Sequence, residues 1–184
     1  MLYLIRHGET EWSLSGAHTG RTDLPLTKAG EEKAKRIREK LGGRPFSLVL
    51  TSPLTRARRT CEIAGYLDAA QVDPNLLEWN YGDYEGRTTA QIREERPDWQ
   101  LFRDGVPNGE TIEGVAARAE TVIVRALAAG GDVALFAHGH ILRILAARWM
   151  ILPPEDARLF ALSTASVSTL GFEHETRVIS SWNL

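Results

Sequence analysis

Cysteine occurs once and methionine twice in these 184 residues, and neither charge sign dominates: 22 lysines and arginines stand against 24 aspartates and glutamates. The single Cys61 excludes an internal disulfide and any multi-cysteine zinc site, and its apolar helical surroundings read as a plain buried thiol. A net charge of −2 with a pI near 6.2 offers no basic field to nucleic acid or an anionic membrane. Any anion site must therefore be a local cluster of arginines. No apolar run approaches membrane-spanning length, and the five residues before Arg6 are too few for a signal peptide, so a cytoplasmic protein is expected. Repeats, low-complexity tracts and linkers are missing too, which leaves one domain over residues 1–184.

What is there alternates between buried strands and helices. Leu2-Tyr3-Leu4-Ile5 is a short continuous apolar run, the pattern of a strand covered on both faces. A helical pattern runs from about Lys28 to Leu41 and stops at Gly42-Gly43. Ser47 to Thr51 reads as a second strand, after which Ser52-Pro53 predicts an N-cap and first-turn proline opening a helix to about Leu67. An extended piece ends near Leu77. Residues 79–110 are the least regular part, with Trp79, Trp99, several glycines and two short helices expected. Thr111 caps a long helix to Ala129, Asp132 to Ala137 is a third buried strand, and Ile141 to Met150 another helix. Ser166 to Phe172 and Arg177 to Trp182 alternate like strands joined by a turn at residues 173–176. Such alternation implies a three-layer α/β sandwich with a mostly parallel central sheet and helices on both faces.

In sheets of that kind ligands sit outside the carboxyl ends of the strands. Three buried strands end in polar text: Arg6-His7-Gly8, Ser52-Pro53-Leu54-Thr55-Arg56 and His138-Gly139-His140. As parallel neighbours they would bring two guanidiniums and two imidazoles to one crevice. Arginine offers planar paired donors that match phosphate, and helices starting near Ser52 and His140 would add backbone N–H groups. Binding alone does not require a histidine at the centre, whereas a neutral imidazole can act as nucleophile and split hydrolysis into two easier steps. The leaving alkoxide then needs a proton, and Glu78, beside Leu77 and Trp79, is the best-placed acid, with Asp83 and Glu85 as alternatives. His138-x-His140 has no third ligand at a familiar spacing, so no metal and no cofactor are expected.

At this point the residues resemble the histidine phosphatase superfamily, in its phosphoglycerate-mutase-like branch. The likeness runs from Arg6-His7-Gly8-Glu9-Thr10 through Thr19-Gly20-Arg21-Thr22-Asp23, Leu26-Thr27-Lys28-Ala29-Gly30, Ser52 to Ala57, Glu78 to Gly86, and His138-Gly139. The resemblance implies His7 as nucleophile, Arg6, Arg56 and His138 as phosphate clamps, and Glu78 as proton donor. It implies substrate contacts at Ser13, Thr19, Gly20, Tyr81 and Gly139, with His140 as a further substrate-side group. The text from Trp12 to Gly20, and again from Glu78 to Trp99, is most similar to acid-phosphatase-like and sedoheptulose-bisphosphatase-like members.

Mutases of that branch resemble one another in a middle insertion with an arginine pair and in a tail over the site. Here Trp79 stands where they usually carry arginine, no arginine pair occurs in the middle segment, and the text ends directly after the last strand. A metal-independent phosphatase for a small phosphorylated metabolite is therefore expected. The alternatives are a cofactor-dependent phosphoglycerate mutase and a phospho-ligand binding module without turnover. Residues 79–110 would form the substrate-side cap, and an uncovered edge strand would permit a homodimer. Activity is expected to fall above neutral pH as the proton donor and a charged His138 imidazole give up their protons.

Overall fold

The computed structural model describes all 184 residues. Strand β1 spans Leu2–Arg6, followed by a short helix α1, Glu11–Ser15, and then α2, Lys28–Leu41. The Thr27 hydroxyl caps α2 by accepting from the Gly30 amide at 2.9 Å, and Gly42 ends it at φ 59°, as the sequence predicts. Strand β2, Leu48–Thr51, leads to α3, Thr55–Ile63, and to the short edge strand β3, Ala70–Val72. Helices α4, Thr89–Glu95, and α5, Leu101–Asp104, lie in the irregular segment. Helix α6, Ile112–Ala128, strand β4, Val133–Ala137, and helix α7, Gly139–Trp149, follow. The hairpin of β5, Val167–Glu173, and β6, Thr176–Ser181, closes the chain.

The six strands form one sheet in the order β3-β2-β4-β1-β5-β6. The pairings β1/β4, β2/β4 and β2/β3 are parallel, and β1/β5 and β5/β6 are antiparallel. Side chains alternate across a strand, and this divides the interior in two. Leu2, Leu4, Leu50, Val133 and Leu135 join a 30-residue core with α6 and α7 on one face. Tyr3, Ile5, Val49, Ala134 and Phe136 join an 11-residue core with α2 and α3 on the other. The result is the three-layer sandwich expected. No helix is long and apolar enough to cross a membrane.

The register sets the site. Arg6 pairs with Ala137 and Thr51 with Phe136, so β1, β4 and β2 end at one level. The ladder runs one residue further, with the His7 amide donating to the Ala137 carbonyl at 3.0 Å and the Ser52 amide to the Phe136 carbonyl at 2.9 Å. His7, His138 and Ser52 are thereby fixed side by side as the first residues beyond the sheet.

The stretch after β2 departs from expectation. Ser52 does not cap a helix, and α3 begins only at Thr55 and stops at Ile63. Its cap comes from 32 residues upstream, where the Asp23 carboxylate accepts from the Thr55 amide at 2.8 Å and from the Thr55 hydroxyl at 2.7 Å. Gly65, at φ 87°, turns the chain out of the helix well before Leu67. The loop after β1 is drawn against α2 by two glycines. A Cβ on Gly30 would stand 2.2 Å from the Glu9 carbonyl oxygen, and one on Gly8 2.6 Å from the Gly30 carbonyl oxygen.

Candidate active site

His7 is buried at the end of β1, and its ring is held from one side. Nδ1 lies 2.6 Å from the Gly8 carbonyl oxygen, an atom that can only accept, so the ring proton sits on Nδ1 and the lone pair on Nε2. Burial, then the charges of Arg6 and Arg56, hold this imidazole well below its ordinary value of 6.5, against a smaller opposite pull from the Gly8 carbonyl. Burial, together with these two cations, thus leaves an uncharged ring nitrogen on His7. Arg6 donates through one Nη to the Leu162 carbonyl, while its buried Nε–H meets no acceptor in the protein.

Arg56 lies fully buried behind this pair. It donates to the carbonyls of Thr22 at 2.8 Å, Gly20 at 2.9 Å and Thr19 at 3.1 Å, and through Nε to Nδ1 of His138 at 3.1 Å. Because an arginine N–H can only donate, His138 Nδ1 must be unprotonated, and its proton sits on Nε2, 2.7 Å from the Ser52 hydroxyl. Burial, then Arg56, His7 and Arg6, hold His138 well below 6.5. The expectation of a charged His138 is corrected by this geometry: Arg56 occupies the one nitrogen that would take the second proton. The two imidazoles stand 5.2 Å apart, centroid to centroid.

Glu78 reaches the same place from the segment that precedes α4. Its Oε1 accepts from the amides of Ile141 at 2.9 Å and Trp79 at 3.0 Å, and its Oε2 from the His140 amide at 3.0 Å. The carboxylate therefore caps α7, whose own N-cap residue His138 supplies no side-chain cap. Oε1 has both acceptor positions filled, whereas Oε2 keeps one free. Arg118 holds the approach to this residue, donating to the carbonyls of Asn75 at 2.7 Å and Leu77 at 2.9 Å while pairing with Glu110.

An open cleft of about 530 Å³ is bordered by Arg6, His7, Ser13, Thr19, Glu78, Tyr81 and His140, together with Gly16, Ala17 and His18. Seven of the eleven residues expected at the site thus face one space. Arg56 and His138 stand one layer behind it. Gly20 and Gly139, expected to touch substrate, also lie behind the wall. A side chain at Gly20 would meet the Trp79 carbonyl at 2.4 Å, and one at Gly139 would press on the Arg6 guanidinium at 3.3 Å. Ser13 borders the cleft, but its hydroxyl is tied into a reciprocal cap with Thr10, 2.9 Å from both the Thr10 amide and carbonyl. Of the alternative acids, Asp83 is exposed and accepts from Asn108, and Glu85 accepts from the amides of Gly20 at 2.8 Å and Thr22 at 3.0 Å. Neither borders the cleft. The sequence assigned no role to His18, Asp23 or Arg118 and offered Glu85 only as an alternative acid, although His18, Asp23 and Glu85 fall inside the blocks that carry the resemblance.

The chain is similar to known proteins over nearly its whole length. The profile of the histidine phosphatase superfamily (branch 1) matches residues 2–184, and the chain belongs to that superfamily. An acid phosphatase of Mycobacterium tuberculosis is 41% identical over 97% of this chain and 90% of its own length. A sedoheptulose 1,7-bisphosphatase of Saccharomyces cerevisiae is 39% identical over 79% of this chain and 66% of its own, and a probable phosphoglycerate mutase of Photorhabdus laumondii is 30% identical over 98% and 89%. The solved structure of a Mycobacterium tuberculosis open reading frame superposes with a TM-score of 0.95 at 40% identity, covering 100% of this chain and 96% of that one. Phosphatase names recur among these relatives, in line with a phosphoric monoester hydrolase.

Proposed function

We propose that the protein is a metal-independent phosphatase that hydrolyses small phosphate monoesters through a phosphohistidine on His7. The observation that carries this reading is the state of His7: Nδ1 is committed to the Gly8 carbonyl, and Nε2 keeps an uncharged lone pair under the influence of the Arg6 and Arg56 charges. In the first step Nε2 attacks phosphorus, the bond to the leaving oxygen breaks, and a proton carried on Glu78 Oε2 passes to that oxygen. The Nδ1–H bond to Gly8 shares the positive charge that develops on the ring. In the second step water attacks phosphorus, its proton returns to the Glu78 carboxylate, and the N–P bond breaks to free His7.

Arg6, whose side chain borders the cleft, contacts the phosphoryl oxygens in this reading. Arg56 and His138 act from behind. Four of the five N–H groups of Arg56 are already engaged, so its part is to supply charge, to fix residues 19–22 and to hold His138. Positioned charge of this kind accounts for most of the barrier lowering in phosphoryl transfer. We assign residues 79–110 as the cap of a single domain, since Tyr81 borders the cleft and Phe102 packs against His140 at 5.4 Å.

His7→Ala is expected to lower release of p-nitrophenol from its phosphate ester by about 10⁴-fold or more, and the wild type should be unaffected by EDTA. Full activity in the variant, or strict dependence on added magnesium or zinc, would overturn the proposal.

A further inference from the structure

The cleft has two chemically unlike halves. Its floor, with Arg6 and His7, is backed by the Arg56 charge. The half that would receive the leaving group is walled by rings: His18 lies 5.0 Å from Tyr81 and 6.2 Å from His140, and Tyr81 lies 5.7 Å from His140. None of these rings is a standing cation. Burial first, and neighbouring positive charge for His140, keep both histidines below 6.5, and burial then Glu78 raise the Tyr81 phenol. Of the neighbouring guanidiniums, Arg6 belongs to the floor, and neither Arg143 nor Arg21 borders the cleft. Arg143 donates to the carbonyls of Ala157 at 3.2 Å and Arg158 at 3.4 Å with its Cζ 4.7 Å above the Phe102 ring, and Arg21 lies 3.9 Å from Glu110. Glu78, the proton donor of the proposed first step, lies 3.8 Å from His140 Nδ1 and brings no positive charge to this side.

The Tyr81 hydroxyl and His140 Nδ1 share a short hydrogen bond. If tyrosine donates, Nε2 of His140 carries the proton and offers a donor to the cleft; if the imidazole donates, Nε2 offers a lone pair and the phenol proton is free. Nε2 has no protein partner and is not closed off from solvent. A group able to donate or accept fits a hydroxyl, which does both. It does not neutralise an anion, and an anion stripped of water without a counter-charge is strongly disfavoured.

We propose that this half of the cleft selects esters whose leaving group is uncharged and hydroxyl-bearing, and that His140 is the specificity-determining residue. The inference rests on phosphoryl transfer to His7, which fixes the direction in which the leaving group points.

The test is kcat/KM, by phosphate release, on pairs that differ in one anionic group. Glycerol 3-phosphate is compared with 3-phosphoglycerate, and fructose 6-phosphate with fructose 1,6-bisphosphate; the 3-phosphoglycerate arm is scored for isomerisation as well. The wild type is expected to favour the uncharged member of each pair by about tenfold or more. His140→Arg should shrink both ratios by raising relative use of the anionic member, and the neutral donor in His140→Gln should keep them. Equal or better use of the anionic members by the wild type overturns the proposal, as do ratios that His140→Arg leaves unchanged. The wild-type ratios need no variant, and they are separate from the His7→Ala result on which the underlying mechanism stands or falls.

Discussion

In the proposed reaction, three local facts make His7 a nucleophile. The Gly8 carbonyl fixes the tautomer, burial removes the water that would stabilise an imidazolium, and two arginines make a third positive charge unfavourable. The sign of the resulting pH dependence follows. A folded value below 6.5 means the neutral form persists through that pH and is lost only as the solution becomes much more acidic. kcat/KM is therefore expected to hold down through pH 6.5 and to fall on an acid limb well below it. A midpoint at or above 6.5 would mean that the arginines do not act on His7 as described. Any alkaline limb has one cause fewer than the sequence suggested, because His138 is already neutral when Arg56 donates to it.

At the scale of elements, much was legible because it depended on local pattern. The apolar runs marked β1, β2 and β4, the residues just beyond them supplied the site, and Thr27 with Gly42 bracketed α2. What failed depended on distant partners. Ser52 has the look of a cap, yet its hydroxyl faces His138 Nε2, and the cap of α3 is Asp23. Likewise the amide donors at the start of α7 are taken by Glu78, 62 residues before His140, a pairing that no local spacing encodes. The same distance hid the work of Arg118 and Glu85, which hold the chain that holds the site. If Asp23 caps α3, Asp23→Ala should cost about 1 kcal/mol, a fall in Tm of roughly 2–4 °C for a domain of this size. An unchanged Tm in a thermal melt would remove Asp23 from that role.

For the whole molecule, the sheet brings three strand ends to one level, with His7 and His138 buried there and His18 and His140 half-buried beside them. His7, His18, His138 and His140 are all held below 6.5, with burial the largest cause in each. The unfolded chain takes up protons at these residues as pH drops through 6.5, and the folded chain does so only at lower pH. Stability is accordingly full above 6.5 and lost below it, each histidine contributing a slope of at most about 1.4 kcal/mol per pH unit. Thermal melts from about pH 8 to about pH 5 should show Tm constant at first and then falling. A Tm that rose on acidification would contradict the charge states assigned to the site. The chemistry itself is tested most directly by rapid quenching during turnover of p-nitrophenyl phosphate, followed by mapping of the phosphoryl label. The account predicts an acid-labile, alkali-stable label on the peptide containing His7, absent when Nε2 is removed in His7→Ala; turnover with no such label, or a label on another residue, would contradict it.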